Sequence, residues 1–363
     1  MTAGEWNFLA GRLVGDGSID ILETELPIEV TSINRALSAP GTMDGKISNK
    51  VRRLQRAGRP IFEPWNTVLI AEASGIIRGM SIYLKPTFNG ATWDLEQVGL
   101  SGYPRGMPYD GEITFNQTDP LDVFRHIWDH LQGFPGGHLG ITIDRETTSP
   151  VRVGTPQVEG DNESGPRKLN WWETTDLGAE IDSYAKETPF DWVEQVFWDG
   201  DQPHCHIDLG YPIIGGRKDH YRLVYGENIG TVPTVTEADY YNGVLALGAG
   251  EGRARIRGWA GVSDGRLRRV RSVDDKGLAA VAQANARAQE ELNNTRGQVL
   301  VDTVTVYDHP NAPLEAIELG DELPLYAETD HVTLDTYVRV VAKDEAPQSS
   351  DQATLTVVRT VTA

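Results

Sequence analysis

A histidine–cysteine–histidine triplet, His204-Cys205-His206, combines side chains that bind transition metals, and Asp208 follows two residues later. Alternate side chains of a β-strand point to the same face, so both imidazoles could bind one zinc ion. The sequence offers no obvious third and fourth ligand elsewhere. A strand with alternating polar residues explains the triplet equally well, and both interpretations stay open.

The segment 126–130 (HIWDH) provides a second set of candidate metal ligands, on a predicted helix. It resembles the HxxEH pattern of inverted zinc proteases, with Asp129 in place of Glu. Asp122, His126 and His130 are four residues apart, so a helix would place them on one face, where they could bind one metal ion. The pattern is short, and a polar helix face that contacts solvent or a partner is the favoured interpretation.

The glycine-rich segment 248–252 (GAGEG) follows a predicted strand, as the phosphate-binding loop of a dinucleotide site does. That loop requires a helix directly after it, whereas residues 253–261 (RARIRGWAG) alternate like another strand. The glycines therefore predict a hairpin or a bulge.

Four arginines lie in the segment 266–271 (RLRRVR), which forms a concentrated basic run. They could bind nucleic acid. In an acidic chain, however, they more plausibly pair with the protein's own acidic surface or with a neighbouring subunit.

A carboxylate pair could hydrolyse glycosides, but choosing two requires a spatial separation that the sequence does not provide. Trp171 and Trp172 could stack on a sugar, although neighbours on a strand point to opposite faces, so at most one would serve a given surface. We therefore assign no catalytic, cofactor-binding or metal-binding residues and expect no enzymatic activity. The carboxylates considered are Glu112, Asp119, Glu173, Glu180, Asp182, Glu187 and Asp191.

The elements that would position these residues are mainly strands. Short segments rich in β-branched and aromatic residues alternate with clusters of Gly, Pro, Asn and Asp, which is typical of barrels or sandwiches. The predicted strands include 65–71, 79–84, 151–153, 221–225, 243–247, 299–307 and 354–358, and 344–352 is predicted to be a long hairpin loop.

One helix is predicted from strong local signals. Asp119 can cap a helix whose first position is Pro120, where the missing N–H of proline costs nothing. Gly133 ends it, so the predicted helix covers 120–132.

A second, weaker helix is predicted over roughly 273–294, where Ser272 and Asp275 approximate a capping box before an alanine-rich run. A shorter helix near 191–196 is also considered. The Gly- and Pro-rich segment 154–166 is predicted to be a loop.

The composition excludes several classes of protein. With 53 Asp and Glu against 33 Lys and Arg, the chain of 363 residues has a net charge of −20, which disfavours binding to DNA or to an anionic membrane. Its one cysteine allows no intrachain disulfide. The sequence has no uninterrupted apolar stretch of roughly 18 residues and no basic N-terminal leader, so we expect neither a membrane-spanning helix nor a signal peptide.

An ordered series of phrases resembles the minor tail proteins of siphophages that infect mycobacteria and related actinobacteria. Each phrase alone is weak, but the series runs in order over nearly the whole chain. The phrases include GEWNFLAGRLVGDGSIDILETELPIEV, LSAPGTMDGKIS, GRPIFEPWNTVLIAEASGIIRG, GYPRGMPYDG, DPLDVFRHIWDHLQGFPGGHLGITID, KETPFDWVEQVFWD, HIDLGYP, GGRKDHYRLVYGENI, VLALGAGEGRARIRG and ELGDELPLYAE.

The resemblance implies a structural virion protein, similar to the tail-tip or baseplate hub that closes the tail tube and helps deliver DNA. It also implies a homotrimer of tail-tube-like β-barrels with an inserted α+β segment. The implied partners are the distal tail protein, the tape measure protein and other minor tail proteins. The implied location is the tail tip of the virion, after synthesis in the host cytoplasm.

On this basis we expect four regions: a tube-like β-barrel domain at 1–115, an inserted α+β region at 116–230, returning strands at 231–271, and a linking helix with a C-terminal β domain at 272–363. DNA would pass through a lumen of the assembly without binding stably to the protein. The protein itself would not insert into a membrane. The alternative is a tail-tip protein that binds or degrades host cell-wall carbohydrate.

Overall fold

The computed structural model describes residues 6–154, 166–188, 190–231, 233–237, 240–250, 252–275, 278, 280–295, 299–330, 333–349 and 351–359. The helices within these ranges are α1 (Asn49–Arg52), α2 (Pro120–Gln132), α3 (Leu177–Glu187) and α4 (Val281–Thr295). Among the described helices, none has the length and apolar character needed to cross a membrane.

Strands make up most of the regular structure, which confirms the mainly β fold class. They are β1 (Trp6–Leu13), β2 (Ile19–Glu23), β3 (Glu29–Ala36), β4 (Ala39–Ile47), β5 (Gln55–Arg56), β6 (Arg59–Pro60), β7 (Thr67–Ala73), β8 (Ile76–Phe88), β9 (Trp93–Gly99), β10 (Glu112–Phe115), β11 (Thr142–Ile143), β12 (Arg167–Asn170), β13 (Asp191–Asp199), β14 (Gln202–Gly210), β15 (Leu223–Val224), β16 (Thr234–Glu237), β17 (Gly243–Leu247), β18 (Arg257–Gly261), β19 (Val270–Asp274), β20 (Val299–Tyr307), β21 (Glu322–Glu328), β22 (Thr333–Glu345) and β23 (Gln352–Arg359).

One sheet of 13 strands joins the two ends of the chain. Its path is β16-β20-β23-β22-β3-β4-β9-β8-β7-β1-β2, with β21 and β15 branching from β22. Within the described residues the path ends at β16 and β2, so the pairing forms one open, continuous sheet. The N-terminal and C-terminal β regions are therefore joined by strand pairing between β3 and β22, from Ala36↔Ala342 to Ile33↔Glu345.

Strand β7 lies at the centre of the N-terminal part and is buried on both faces. Val68 and Ile70 face a hydrophobic cluster shared with α2 and α3, whereas Leu69 and Ala71 face a second cluster shared with β3 and β4. A strand that is buried on both faces carries apolar residues at consecutive positions, and β7 shows this pattern. The inserted region therefore packs against one face of the N-terminal sheet.

Helix α2 has the predicted bounds and cap. The Asp119 carboxylate accepts from the N–H of Leu121 at 3.0 Å and from the N–H of Ser149 at 2.6 Å. Phe124 and Trp128 on its apolar face are almost fully buried. Helix α3 was not predicted, although Asp176 caps it in the same way as Asp119 caps α2.

The predicted helix near 191–196 is wrong, because this segment is strand β13. All nine residues of β13 pair antiparallel with β14, from Asp191↔Gly210 to Asp199↔Gln202. The segment is rich in β-branched and aromatic side chains, which suit a pleated, half-buried surface.

The predicted start of the second helix is also wrong. Residues 270–274 form β19, which pairs parallel with β17, so Ser272 lies in a strand and caps nothing. Helix α4 starts at Val281, and its small buried residues Ala284 and Ala288 face β18. A Cβ at Gly258 would lie 2.1 Å from the Ala284 carbonyl carbon, so this close contact requires glycine.

The remaining strand predictions hold in part. Strands 243–247 and 299–307 have the predicted bounds, and β22 and β23 form the predicted hairpin around 344–352. Strand β7 starts at Thr67 instead of Trp65, because Trp65 has a left-handed backbone with φ of 60°. Segment 151–153 forms only the single bridge Thr118↔Val153, and 221–225 shortens to β15. Most of the predicted loop 154–166 lies outside the described residues.

Candidate functional site

The candidate metal ligands on α2 each have a separate partner. His126 Nε2 lies 3.1 Å from the Tyr109 hydroxyl, and His130 Nε2 lies 2.7 Å from Asp110 Oδ1. Asp122 accepts from Arg125 at 2.8 Å, and Asp129 forms a two-bond pair with Arg145. Burial lowers the pKa of His126. These contacts agree with the favoured interpretation, in which the residues form a polar helix face.

The His204-Cys205-His206 triplet lies on β14, and its side chains point to two faces. His206 lies 2.7 Å from Thr142 Oγ1 and 3.2 Å from Asp208, whereas His204 stacks on Phe197. Cys205 is buried in the core, and burial raises the pKa of its thiol well above the ordinary value. Within the described residues, no three His, Cys, Asp or Glu side chains are grouped to hold a metal ion.

The glycine-rich segment 248–252 connects β17 to β18 as a hairpin, in agreement with the prediction. Gly248 N–H donates to the Ile256 carbonyl at 2.7 Å, and β18 pairs antiparallel with β17. The helix that a dinucleotide loop requires does not follow directly. Glu251 lies outside the described residues.

Two serine-nucleophile patterns were overlooked in the sequence. Residues 261–265 (GVSDG) match GxSxG, but they connect two strands, whereas a nucleophile elbow joins a strand to a helix. Residues 183–186 (SYAK) match SxxK on α3, and both side chains lie outside the described atoms.

Trp171 and Trp172 lie in a turn after β12, so the alternation expected of a strand does not apply. Both are exposed, by 62% and 49%, and their ring centroids are 5.3 Å apart at an interplanar angle of 86°. The pair forms an edge-to-face contact and not the coplanar platform that stacks on a sugar.

Most of the candidate carboxylates have structural roles. Asp119 accepts from the Leu121 N–H at the start of α2, and Asp191, the first residue of β13, accepts from the Ile214 N–H. Glu173 accepts from Asn170 at 2.8 Å, and Glu180 pairs with Arg167. Asp182 lies 3.7 Å from Arg105, and the Glu187 side chain lies outside the described atoms.

The basic run forms an exposed loop and strand edge, which we call the arginine arm (Arg266–Arg271). It follows β18 and continues into β19, and all six of its residues are exposed. Leu267 is 88% exposed, the most of any large hydrophobic side chain in the described structure. The arm therefore places one exposed aliphatic side chain among four arginines.

Each arginine of the arm lies over an aromatic ring. The guanidinium carbons are 4.6 Å from the Tyr240 ring centroid for Arg266, 5.1 Å from Trp259 for Arg268, and 5.8 and 6.0 Å from Tyr241 for Arg269 and Arg271. Cation–π contacts of this kind fix the planes of the guanidinium groups and leave their N–H edges free.

A buried asparagine holds the backbone of the arm. Asn242 is 5% exposed; its side-chain amide donates to the Leu267 carbonyl at 3.1 Å and accepts from the Arg269 N–H at 2.8 Å. Its own N–H donates to the Arg269 carbonyl. The arm is therefore shaped before any partner binds.

Comparison with known proteins shows the fold of the chain. No family model and no curated protein matches it. The structure is similar to a 43 kDa tail protein of prophage MuSo2 from Shewanella oneidensis, with 12% identity, 98% of both chains covered and a TM-score of 0.55. It is equally similar to a tail protein from Neisseria meningitidis MC58, with 12% identity, 98% and 97% coverage and a TM-score of 0.54. A prophage tail protein from Listeria monocytogenes follows, with 11% identity, 98% and 95% coverage and a TM-score of 0.52.

The chain has the fold of these tail proteins. The identities of 11–12% make this a likeness of fold alone. The match covers the inserted region and the 240–295 unit as well as the large sheet, because almost the entire length of each chain aligns.

The chain also contains a cleft of about 580 Å³ between the N-terminal sheet and the inserted region, which sequence reasoning did not find. Trp65, Tyr103, Arg105 and His138 line it, and its lining includes no carboxylate. Its residues come from five separate segments of the chain, so no local sequence pattern predicts it. A glycosidase pair is not present on the walls of this cleft.

Proposed function

We propose that the chain is a structural protein of a bacteriophage tail and that it forms the hub at the tail tip. The observation that carries the proposal is the alignment of 98% of the chain with 98% of a prophage tail protein. A fold that matches from end to end, inserted region included, supports the same structural role better than a shared single domain would.

The hub would be a ring of three copies in a siphophage of actinobacteria. Each copy contributes two β regions, one around the cluster with Val30 and Met43 and one around the cluster with Leu323 and Val338. Three copies would present six such regions, which would match the sixfold symmetry of a tail tube. The four regions expected from the sequence, 1–115, 116–230, 231–271 and 272–363, are retained as part of this proposal.

The acidic surface suits a protein through which DNA passes. We propose that part of the net charge of −20 lines the lumen, where it repels phosphate groups and removes the counterion release that drives binding. The distal tail protein, the tape measure protein and other minor tail proteins would be the neighbours, and the protein would act without catalysis.

The carbohydrate alternatives have less support. The exposed tryptophan pair is not coplanar, and the cleft beside Trp65 is lined by no carboxylate. Neither arrangement favours a sugar-binding platform or a glycosidase.

The copy number is expected to be three in solution. Three copies of the 40.0 kDa chain weigh about 120 kDa, which light scattering of the purified protein at several concentrations would measure. A mass that stays near 40.0 kDa at every concentration would contradict the trimer.

A further inference from the structure

We propose that the arginine arm is the surface by which one copy of this chain binds the acidic surface of the next copy. The inference rests on the proposed trimer and names the contact that holds it together. Leu267 would enter an apolar recess of the neighbour, and the arginines around it would pair with carboxylates at the rim.

The arm carries unused binding capacity. In the described part of the chain, the side chains of Arg266, Arg268 and Arg269 form no ion pair with a carboxylate, whereas Arg271 lies 3.2 Å from Glu291. Guanidinium groups with free N–H edges are suited to carboxylates, which they can bind through two parallel hydrogen bonds.

The arm is also rigid enough to bind at low entropic cost. Asn242 holds the carbonyl of Leu267 and the N–H of Arg269, and the ring of Trp259 supports the guanidinium of Arg268. Binding by a surface that is already in its bound shape loses little conformational freedom.

The chemistry of the arm favours a protein over a nucleic acid. Nucleic-acid-binding surfaces use aromatic faces to stack on bases, but here guanidinium groups lie over the rings of Tyr240, Tyr241 and Trp259. The centre of the arm is Leu267, an aliphatic side chain with no affinity for phosphate. The remainder of the chain is strongly acidic and repels DNA.

Charge complementarity points to a second copy as the partner. The arm is a basic segment in a chain of net charge −20, so another copy offers it mostly acidic surface. A contact between two different surfaces of the same chain is heterologous, and such contacts generate a closed ring when the rotation between copies closes.

Charge reversal in the arm is expected to break the trimer. The double variant Arg268→Glu/Arg269→Glu, in the full chain, should weaken association at least about a hundredfold and shift the mass from trimer to monomer. The variant Leu267→Asp should act in the same direction. The control Lys50→Glu/Arg53→Glu makes the same change in net charge at two exposed residues outside the arm and should remain a trimer.

The same measurement separates the two proposals. A trimeric wild type whose arm variants are also trimeric overturns the arm contact and leaves the hub standing. A wild type that is monomeric at every concentration overturns the trimer, and the arm contact with it.

Photocrosslinking provides a readout that does not depend on the charge-reversal variants. With p-benzoylphenylalanine in place of Leu267, irradiation should yield a dimer in which position 267 is joined to an acidic segment of a second copy. The absence of such a product overturns the proposal. Binding of a 20-base-pair DNA duplex by the wild type but not by the double variant would overturn it in favour of a nucleic-acid site.

Discussion

The variant Asp191→Ala is expected to lose about 3–5 kcal/mol of unfolding free energy, because it leaves a mostly buried guanidinium without its counter-charge. Asp191 on β13 pairs with Arg339 on β22, and the two side chains are only 14% and 13% exposed. Asp191 also accepts from the Ile214 N–H at 2.8 Å. The pair connects the inserted region to the C-terminal part of the large sheet.

Urea unfolding at pH 7 would measure this loss, and Asp199→Ala is the matched control on the same strand. Asp199 is 78% exposed and lies 3.9 Å from His204. An exposed pair of this kind contributes at most about 1 kcal/mol, so the control should change little. Equal losses in the two variants would contradict the structural role of the Asp191–Arg339 pair.

The variant Lys343→Met is expected to gain about 2–3 kcal/mol of unfolding free energy at pH 7. Lys343 is 1% exposed, and burial lowers its pKa from 10.5 to about 8. Its ammonium donates to the Leu314 carbonyl at 2.6 Å and lies 3.7 Å from Glu345. Glu345 keeps a second partner in Arg35 at 3.4 Å, so the substitution leaves no orphaned charge.

The pH dependence identifies the cause of this gain. Between about pH 8 and 10.5 the unfolded chain binds more protons at Lys343 than the folded chain, so wild-type stability should rise with pH in that window. Below pH 8 the free-energy cost of burying the charged Lys343 ammonium is fully present. Lys343→Met should lack this rise, and Lys85→Met, at a lysine that is 71% exposed, should behave like the wild type. A rise in the Lys343→Met variant equal to that of the wild type would show that another group is responsible.

The sequence predicts those elements whose signals are local. Asp119, Pro120 and Gly133 specify α2 within a single segment, and the structure has the same bounds. Strand β13 was misread because its apolar residues, including Trp192, Val193 and Val196, fit a helix face as well as a strand. Its pairing with β14 decides the conformation, and that information lies in the hairpin as a whole.

Non-local pairings are the part that sequence reasoning could not supply. The end of strand β19, residues 272–274, was assigned to the start of a helix because its partner β17 lies 27 residues away and aligns parallel to it, Gly243 with Val270. The pairing of β3 with β22 joins segments some 300 residues apart, with Ser32 bonded to Asp344 at 2.7 Å. Neither segment has a local sequence pattern that identifies the other as its pairing partner.

The sequence shows which residues form the arginine arm, but not how exposed they are or which residues support them. The four arginines of the run 266–271 are visible in the sequence, and the net charge of −20 is the basis for proposing a carboxylate partner. The exposure of Leu267 and the buried support from Asn242 depend on the fold around them. The cleft beside Trp65 depends on a left-handed residue and on loops from both the N-terminal sheet and the inserted region.

Electron microscopy of the purified chain tests the proposed hub most directly. We predict class averages with threefold symmetry and six β lobes around the ring. Single asymmetric particles, or a ring without threefold symmetry, would contradict the hub.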